Sequence, residues 1–216
     1  MIRSARGFTL IEVLLATVLL AAGLALALTT LRAATTTVQR GEQLAERSER
    51  MRAVEGFLRR RIASAAPVGF QADPVTGEAV RFIGEPQRLR FVADLPNYLG
   101  RGGPHLHDVA IDDDGAPSRL TVAFAMVLAG ETIALPEPRP PEPLVDDLTE
   151  LRLRYRGFDG NGELGEWQDR WGPSMTLPLQ VSIQIASESG GTWPPLLIAL
   201  PQGTGQPPPA DPGPAP

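Results

Sequence analysis

The feature that most constrains this chain is an apolar stretch from Phe8 to Leu31 in which Glu12 is the one charged residue. As an α-helix, about 24 residues span roughly 36 Å at 1.5 Å per residue, which exceeds a hydrocarbon core of about 30 Å. A cleavable secretory signal has a shorter apolar region of about 7–15 residues. Although Ala25-Leu26-Ala27 has the small-residue pattern of a cleavage site, we therefore expect the segment to be retained as a membrane anchor.

Glu12 is the unusual residue of this helix, because an acidic residue at the centre of a membrane costs about 2.5–3.5 kcal/mol. Either Glu12 extends to the lipid headgroups without a function, or it pairs with a cation on a neighbouring protein. Such a pair at about 4 Å gains about 4 kcal/mol at a dielectric constant near 20, which is comparable with the insertion penalty. Arg3 and Arg6 precede the helix, so the positive-inside rule predicts a cytoplasmic N-terminus.

The segment Gly7-Phe8-Thr9-Leu10-Ile11-Glu12, followed by an apolar helix, resembles the class III signal of type IV pilins and type II secretion pseudopilins. The resemblance implies that residues 1–7 are a leader, which a prepilin peptidase removes after Gly7. It also implies that the enzyme methylates the Phe8 amine, and that Glu12 contacts the Phe8 amine of an adjacent subunit to set the assembly register.

The same resemblance implies that helices of neighbouring subunits pack along the apolar segment. The residues that it assigns to this packing are Leu10, Leu14, Ala21, Gly23 and Ala25. Small residues at such positions allow the backbones of membrane helices to approach closely.

The region after the membrane segment has the pattern of a long helix followed by a sheet. From residue 32 to residue 66 there is no proline, and apolar residues recur mostly at steps of three or four: Leu31, Ala34, Val38, Ala45, Met51, Val54, Leu58 and Ile62. This spacing predicts an amphipathic helix that ends before Pro67. We expect residues 8–31 to form the transmembrane half and residues 32–66 the periplasmic half of one helix.

Beyond Pro67 the apolar residues alternate with polar ones, which is typical of antiparallel strands with one solvated face. The alternating segments begin at Arg88, Leu120, Leu151 and Leu179, and Leu196–Leu200 is apolar throughout and is a candidate central strand. The predicted fold class is therefore α+β and pilin-like, with a long N-terminal helix packed on an antiparallel β-sheet domain of residues 67–200. Pro136–Pro143 is predicted to be an extended loop, and residues 201–216 a disordered tail.

Two segments of this domain narrow the resemblance to the J-type minor pseudopilins of type II secretion. These are Leu151-Arg152-Leu153-Arg154-Tyr155 and the run from Trp167 to Ile183, which contains Leu177-Pro178. The resemblance implies a subunit of the pseudopilus tip that promotes export of folded proteins across the outer membrane. Its implied partners are the I-type and K-type minor pseudopilins, the G-type major pseudopilin, the prepilin peptidase and the inner membrane, with the C-terminal domain in the periplasm.

The amino-acid composition argues against several other kinds of site and function. The chain has no cysteine, its 20 basic residues are all arginine, and its net charge is −5, so disulfides, thiolate metal sites and a nucleic-acid-binding face are not expected. No nucleophile–base pair is recognisable, and we predict neither an enzyme nor a required cofactor.

Two weak metal candidates remain. The oxygen-bearing side chains of Asp159, Asn161 and Glu163 alternate as in calcium loops, although the same residues are good turn formers. His105, His107 and Asp108 form the second candidate.

Two other classes stay open at this stage. A minor type IV pilin that primes pilus assembly shares the leader, but such pilins commonly close their domain with a disulfide, which this chain cannot form. The other class is a membrane-anchored hydrolase or binding protein, for which no site is recognisable in the sequence.

Overall fold

The computed structural model describes residues 9–95, 102–133 and 139–206. Within these ranges the elements are α1 (Leu10–Ala63), β1 (Gln71–Ala72), β2 (Ala79–Val80), β3 (Phe82–Gly84), β4 (Arg88–Leu95), β5 (Gly103–Asp112), β6 (Arg119–Leu128), β7 (Glu131–Ile133), β8 (Glu142–Val145), β9 (Leu148–Arg156), β10 (Trp171–Ser174), β11 (Gln180–Ser187), β12 (Gly191–Thr192) and β13 (Leu196–Ala199). The leader, Gly7 and Phe8 lie outside the described residues.

The chain divides into two compact units, residues 1–49 and residues 50–216. In the first unit, α1 contains a segment, Leu10–Arg32, that is long and apolar enough to cross a membrane, with a mean hydropathy of 2.4 and no buried residue. The hydroxyls of Thr17 and Thr29 donate to carbonyls three residues earlier, at 2.9 and 2.8 Å. These hydroxyls are thus satisfied within the helix itself, as an apolar environment requires.

The helix ends at Ala63, three residues before the predicted end. Ala66 instead forms a β-bridge with Val92, and its amide donates to the Val92 carbonyl at 2.8 Å. The ring of Pro67 explains the difference, because a residue that precedes proline is displaced from the helical region towards extended conformations.

The second unit contains two main antiparallel sheets. The larger has the order β10-β3-β4-β5-β6-β7, with β8 also paired to β6. In the smaller sheet, β11 is central: β9 pairs along one edge, and β12 and β13 pair along the other. Strands β1 and β2 form a separate two-stranded antiparallel sheet. The predicted α+β class is confirmed.

The end of α1 supplies the core that the two sheets share. Val54, Leu58 and Ile62 are buried in a cluster that includes residues of both sheets. Fully burying a side chain of this size contributes about 1.5–3 kcal/mol relative to leaving it exposed. Because these three residues are spaced by four, one stripe of the helix carries this contribution, as the sequence pattern predicted.

Tyr155 joins the two sheets. Its hydroxyl, which comes from β9 of the smaller sheet, donates to the carbonyl of Glu85 at 2.8 Å, and its ring meets Phe82 edge-on at 5.9 Å. A Cβ atom at Gly84 would overlap the Tyr155 ring, so the absence of a side chain at this one position of β3 allows the contact. Burial raises the pKa of the Tyr155 phenol, which remains a neutral donor.

The larger sheet is covered on both faces at one end, which the expectation of a single solvated face did not include. Phe70 and Val80 pack with Ile83, Val92 and Val127 on the side away from α1. Val127 is buried in this second cluster, whereas the neighbouring Leu128, the last residue of β6, is 64% exposed. The segment between Pro67 and Phe82 folds back over the sheet, and this non-local contact buries residues of the face that was expected to be solvated, while Leu120 and Val122 remain in the main core.

Strand β13 is not central, contrary to expectation. It pairs with β11 alone among the described strands, and Leu197 points outward with 51% exposure. Glu142 and Pro143, predicted to be loop, belong to β8. Both β13 and β8 lie at sheet edges, where proline is tolerated and where a strand is commonly short.

The expectation of a disordered tail is wrong for residues 201–206. Gly205 donates to the Leu177 carbonyl at 3.1 Å and accepts from the Phe158 amide at 2.6 Å, and the Thr176 hydroxyl donates to the Gln206 carbonyl at 2.7 Å. A Cβ at Gly203 or at Gly205 would overlap Pro178 or Leu179. Composition suggested disorder, but glycine lets this segment pack closely against the domain. Residues 207–216 lie outside the described residues.

His107 is a core residue. Its ring stacks on Phe91 at 5.1 Å and meets Phe124 edge-on at 5.0 Å. Its Nδ1 donates to the His105 carbonyl at 3.0 Å, while its buried Nε2 has no partner among the described residues. Asp108 lies on the opposite face of β5 and binds Arg88 through both oxygens, at 2.9 and 2.6 Å. The three residues of this metal candidate therefore do not converge.

We predict that Gly84→Ala lowers the free energy of unfolding by about 1–3 kcal/mol, because the added methyl group displaces the Tyr155 ring. Gly172→Ala in the neighbouring strand β10 is the matched control, since nothing lies within 4 Å of its Cβ position. Chemical denaturation of the detergent-solubilised chain measures both. Equal stability of the two variants would contradict the role assigned to this contact.

We also predict that His107 makes stability depend on pH. Burial is the main cause that lowers the pKa of His107 to about 4, from 6.5, and the positive charge of Arg61 adds to it. The unfolded chain therefore binds more protons than the folded chain between these values. The contribution of neutral, buried His107 to the free energy of unfolding is complete above pH 6.5. It is lost as pH falls towards 4, by up to about 3 kcal/mol.

Denaturation of the parent and of His107→Leu at a series of pH values tests this. The difference in stability between them should shift in favour of the variant as pH falls from 6.5 to 4. A difference that stays constant over this range would contradict the prediction.

Candidate functional site

Glu12 lies in the first turn of α1. The amides of Glu12 and Val13 both donate to the Thr9 carbonyl, at 3.1 and 3.3 Å, and the Thr9 hydroxyl lies 3.5 Å from Glu12 Oε2. Thr9 and Glu12 thus have the spacing of a capping box, in which a threonine at the helix start is followed three residues later by an acid. The positive end of the helix dipole favours a carboxylate here by about 0.3–1 kcal/mol.

The Glu12 carboxylate is exposed and forms no ion pair with any described residue. Its one hydrogen-bond partner in that part of the chain, Thr9, is neutral. The contact between Thr9 and Glu12 was not included in the sequence interpretation, although the spacing Thr9-x-x-Glu12 was a readable signal for a helix start. The carboxylate is therefore held at the helix start and is accessible to a cation from another molecule.

The residues predicted to pack against neighbouring helices are exposed along α1. Leu10 is 84% and Leu14 56% exposed, and Ala21 and Ala25 are also exposed. Nothing lies within 4 Å of a Cβ position at Gly23. Nothing in the described part of the chain buries these side chains, so they are available to lipid or to another subunit.

The calcium candidate is a turn. Asp159 Oδ1 accepts hydrogen bonds from the amides of Asn161 and Glu163, each at 2.9 Å, and the Asp159 amide donates to the Glu163 carbonyl at 2.7 Å. Phe158 and Leu164 form a β-bridge that closes the loop. The described residues contain no group of three or more histidine, cysteine or acidic residues placed to hold a metal ion. Calcium binding by Asp159, Asn161 and Glu163 stays a prediction.

The second unit also has an open groove of about 360 Å³ beside α1. It lies between one helix stripe and β8, and its lining is Arg50, Ala53, Val54, Phe57, Pro143, Leu144 and Asp146. Arg50 and Asp146 form an ion pair of 3.7 Å at the rim. The lining is apolar apart from this exposed pair.

Comparison with known proteins gives matches over nearly the whole chain. Residues 29–198 match the family model for type II secretion system protein J, and residues 2–28 match the prokaryotic N-terminal methylation motif. The chain is 52% identical over 202 residues to the type II secretion system protein J of Xanthomonas campestris pv. campestris, covering 93% of this chain and 95% of that protein.

A solved structure shares the fold. The crystal structure of the GspK-GspI-GspJ complex from the type 2 secretion system of enterotoxigenic Escherichia coli contains a chain that matches with a TM-score of 0.50. The match covers 71% of this chain and 97% of that one, at 17% identity. With an N-terminal helix of membrane-spanning length, a two-sheet domain and a family match over most of its length, this chain belongs to the type II secretion system protein J family, the J-type minor pseudopilins.

Proposed function

We propose that this chain is a structural subunit at the tip of the type II secretion pseudopilus, and that it assembles there with I-type and K-type minor pseudopilins. The observation that carries the proposal is that one chain matches the N-terminal methylation motif and then, without a gap, the protein J family. The structural neighbour comes from a GspK-GspI-GspJ complex, which supports the choice of partners. The G-type major pseudopilin is the proposed partner further along the filament.

Maturation follows from the same motif. A prepilin peptidase cleaves between Gly7 and Phe8 and methylates the new amine, whose reference pKa is about 8, so it is a cation at neutral pH. Glu12 of this subunit then pairs with the Phe8 amine of a neighbour. Its exposed carboxylate and its lack of an ion pair within the described residues support this role. The pair offsets the cost of placing a carboxylate at the membrane.

The helix anchors the chain in the inner membrane. With Arg3 and Arg6 ahead of the apolar segment, the N-terminus lies in the cytoplasm and the domain in the periplasm. Leu10, Leu14, Ala21, Gly23 and Ala25 pack against helices of neighbouring subunits when the filament forms.

Function by assembly requires no chemistry of its own, and we propose that the chain is not an enzyme and takes no cofactor. The groove beside α1 offers an ion pair and apolar walls, which suit contact with a protein. The alternative of a minor type IV pilin shares the leader, but the family match is to a type II secretion protein.

We predict that the mature chain begins at N-methylated Phe8 and that Gly7→Asp prevents cleavage. Aspartate places a bulky charge in the position next to the scissile bond. Mass spectrometry of the amino terminus, in cells that contain the peptidase, measures both. A chain that retains Met1, or that starts beyond Ala27, would contradict this route of maturation.

We predict that Glu12→Ala leaves cleavage intact but reduces incorporation into pseudopili at least about tenfold, as expected for loss of a partly desolvated ion pair of about 1.4 kcal/mol or more. Glu46→Ala, a change of an exposed acid further along α1, is the matched control. Immunoblots of sheared filaments measure incorporation. Assembly of Glu12→Ala at the parental level would remove the function assigned to the carboxylate.

A further inference from the structure

The outer face of the smaller sheet is an uncovered surface with an arginine row along one side. Arg152, Arg154 and Arg156 lie on this face of β9. The register places Gln184, Ser182 and Gln180 of β11 beside them, and Leu197 and Ala199 of β13 beyond. The side chains of Arg152 and Arg154 are 50% and 36% exposed, and Leu197 is 51% exposed. The face therefore changes from basic to neutral polar to apolar across three strands.

The segment from Leu164 to Asp169 holds the arginines in place. Arg156 Nε donates to the Gly165 carbonyl at 2.6 Å, and its guanidinium lies 5.6 Å from the centre of the Trp167 ring. Arg154 donates to the Trp167 carbonyl at 2.9 Å. Gln168 forms a backbone bridge with Tyr155, which fixes this segment to the edge of β9.

The carbonyl and ring contacts orient Arg154 and Arg156 without cancelling their charge, whereas Asp169 compensates part of the charge of Arg152 and Arg154. Asp169 Oδ1 lies 3.3 Å from both Arg152 and Arg154, and half of the Arg152 side chain is exposed, whereas the Arg154 Nε atom is buried. Arg156 has a carbonyl and a ring as its contacts. Glu150 lies on the same face, and Glu166 lies on the adjoining segment; both are exposed, and neither forms an ion pair with any described residue.

Each guanidinium has five N–H donors in a fixed fork, and the contacts above use only one or two of them. The remaining donors are arranged for carboxylates, which bind arginine through two parallel hydrogen bonds. Adjacent arginines of the row are separated by two residues of a strand, about 6.6–6.8 Å. Because the side chains are already held in place, a partner loses less conformational entropy on binding them.

We propose that this face binds an acidic surface of a neighbouring subunit in the tip assembly, with at least two carboxylates about 6–7 Å apart and an apolar residue that meets Leu197. The inference rests on the proposed function, because it names the surface through which that assembly is held. Charge complementarity determines the choice of partner: the chain is acidic overall, with a net charge of −5, and this row is a local concentration of arginine. Pairing across it steers association and fixes the register of the two subunits.

A photo-crosslinking experiment tests the location. The full-length chain is produced with its I-type and K-type partners, carrying benzoylphenylalanine in place of Gln184, at the centre of the face. Gln87, an exposed residue between β3 and β4, receives the same substitution as the matched control. We expect a crosslink to a partner subunit from position 184 and not from position 87. Crosslinking of position 184 to lipid alone, or to nothing, would overturn the inference.

A charge experiment tests the chemistry. The double variant Arg152→Gln, Arg156→Gln should bind the partner subunits about tenfold more weakly than the parent at low salt, and its binding should depend less on salt. The control variant Arg60→Gln, Arg119→Gln removes two exposed positive charges elsewhere on the domain and should bind as the parent does. The thermal unfolding midpoint of each variant verifies that the domain remains folded.

The outcomes separate the two proposals. If the parent binds its partners and the double variant binds them equally well, this face is not the interface, while the proposed function stands. If the parent binds neither partner subunit, the proposed function fails, and the present inference fails with it.

Discussion

The structure of the domain depends on the contact between Tyr155 and Gly84. The Tyr155 ring, from β9 of the smaller sheet, lies against the backbone of β3 in the larger sheet at Gly84. Its hydroxyl donates to the carbonyl of Glu85, in the turn after β3, at 2.8 Å. Among the described residues the two sheets share no ladder, so side-chain contacts of this kind and single backbone hydrogen bonds, such as Leu153 to Pro86 at 2.9 Å, join them. Once they are joined, Val54, Leu58 and Ile62 of α1 complete a single core. The arginine row is on the reverse side of the same strand, because residues alternate between the faces.

The two units obtain their stability from different sources. The domain buries its own aromatic and aliphatic residues, including Trp171, Phe82 and Phe91, each fully buried. The apolar residues of α1 before Arg32 are exposed, and their hydroxyl neighbours are satisfied within the helix. Burial of this surface must come from lipid or from other subunits, which is consistent with a protein that functions by assembly. The exposed Glu12 has the same requirement, since an acid in such a helix needs a cation from elsewhere.

Patterns of local spacing predicted much of this fold. The period of two in Leu151, Leu153 and Tyr155 gave both the strand and its buried face, and the spacing by four in α1 gave the stripe that enters the core. The position of Glu12 near the start of the helix was predictable from the apolar run that follows it, whereas its contact with Thr9 was missed although the spacing was visible. His107 was considered as a ligand because composition alone does not say that Phe91 and Phe124 enclose its ring. The mistaken expectations for β13 and for residues 201–206 concern contacts between distant parts of the chain.

The sequence by itself determined the membrane-length helix, the exposed acid in its first turn, the end of that helix near Pro67 and the alternation of the main strands. Each of these follows from neighbours within a few residues, where helix and strand periods and the proline ring act directly. The tertiary structure alone decided the order of the strands, the second covered face of the larger sheet, the glycine contacts that hold residues 201–206 and the anchoring of the arginine row by Trp167 and Asp169. These depend on which distant surfaces meet, and local periodicity carries no information about that choice.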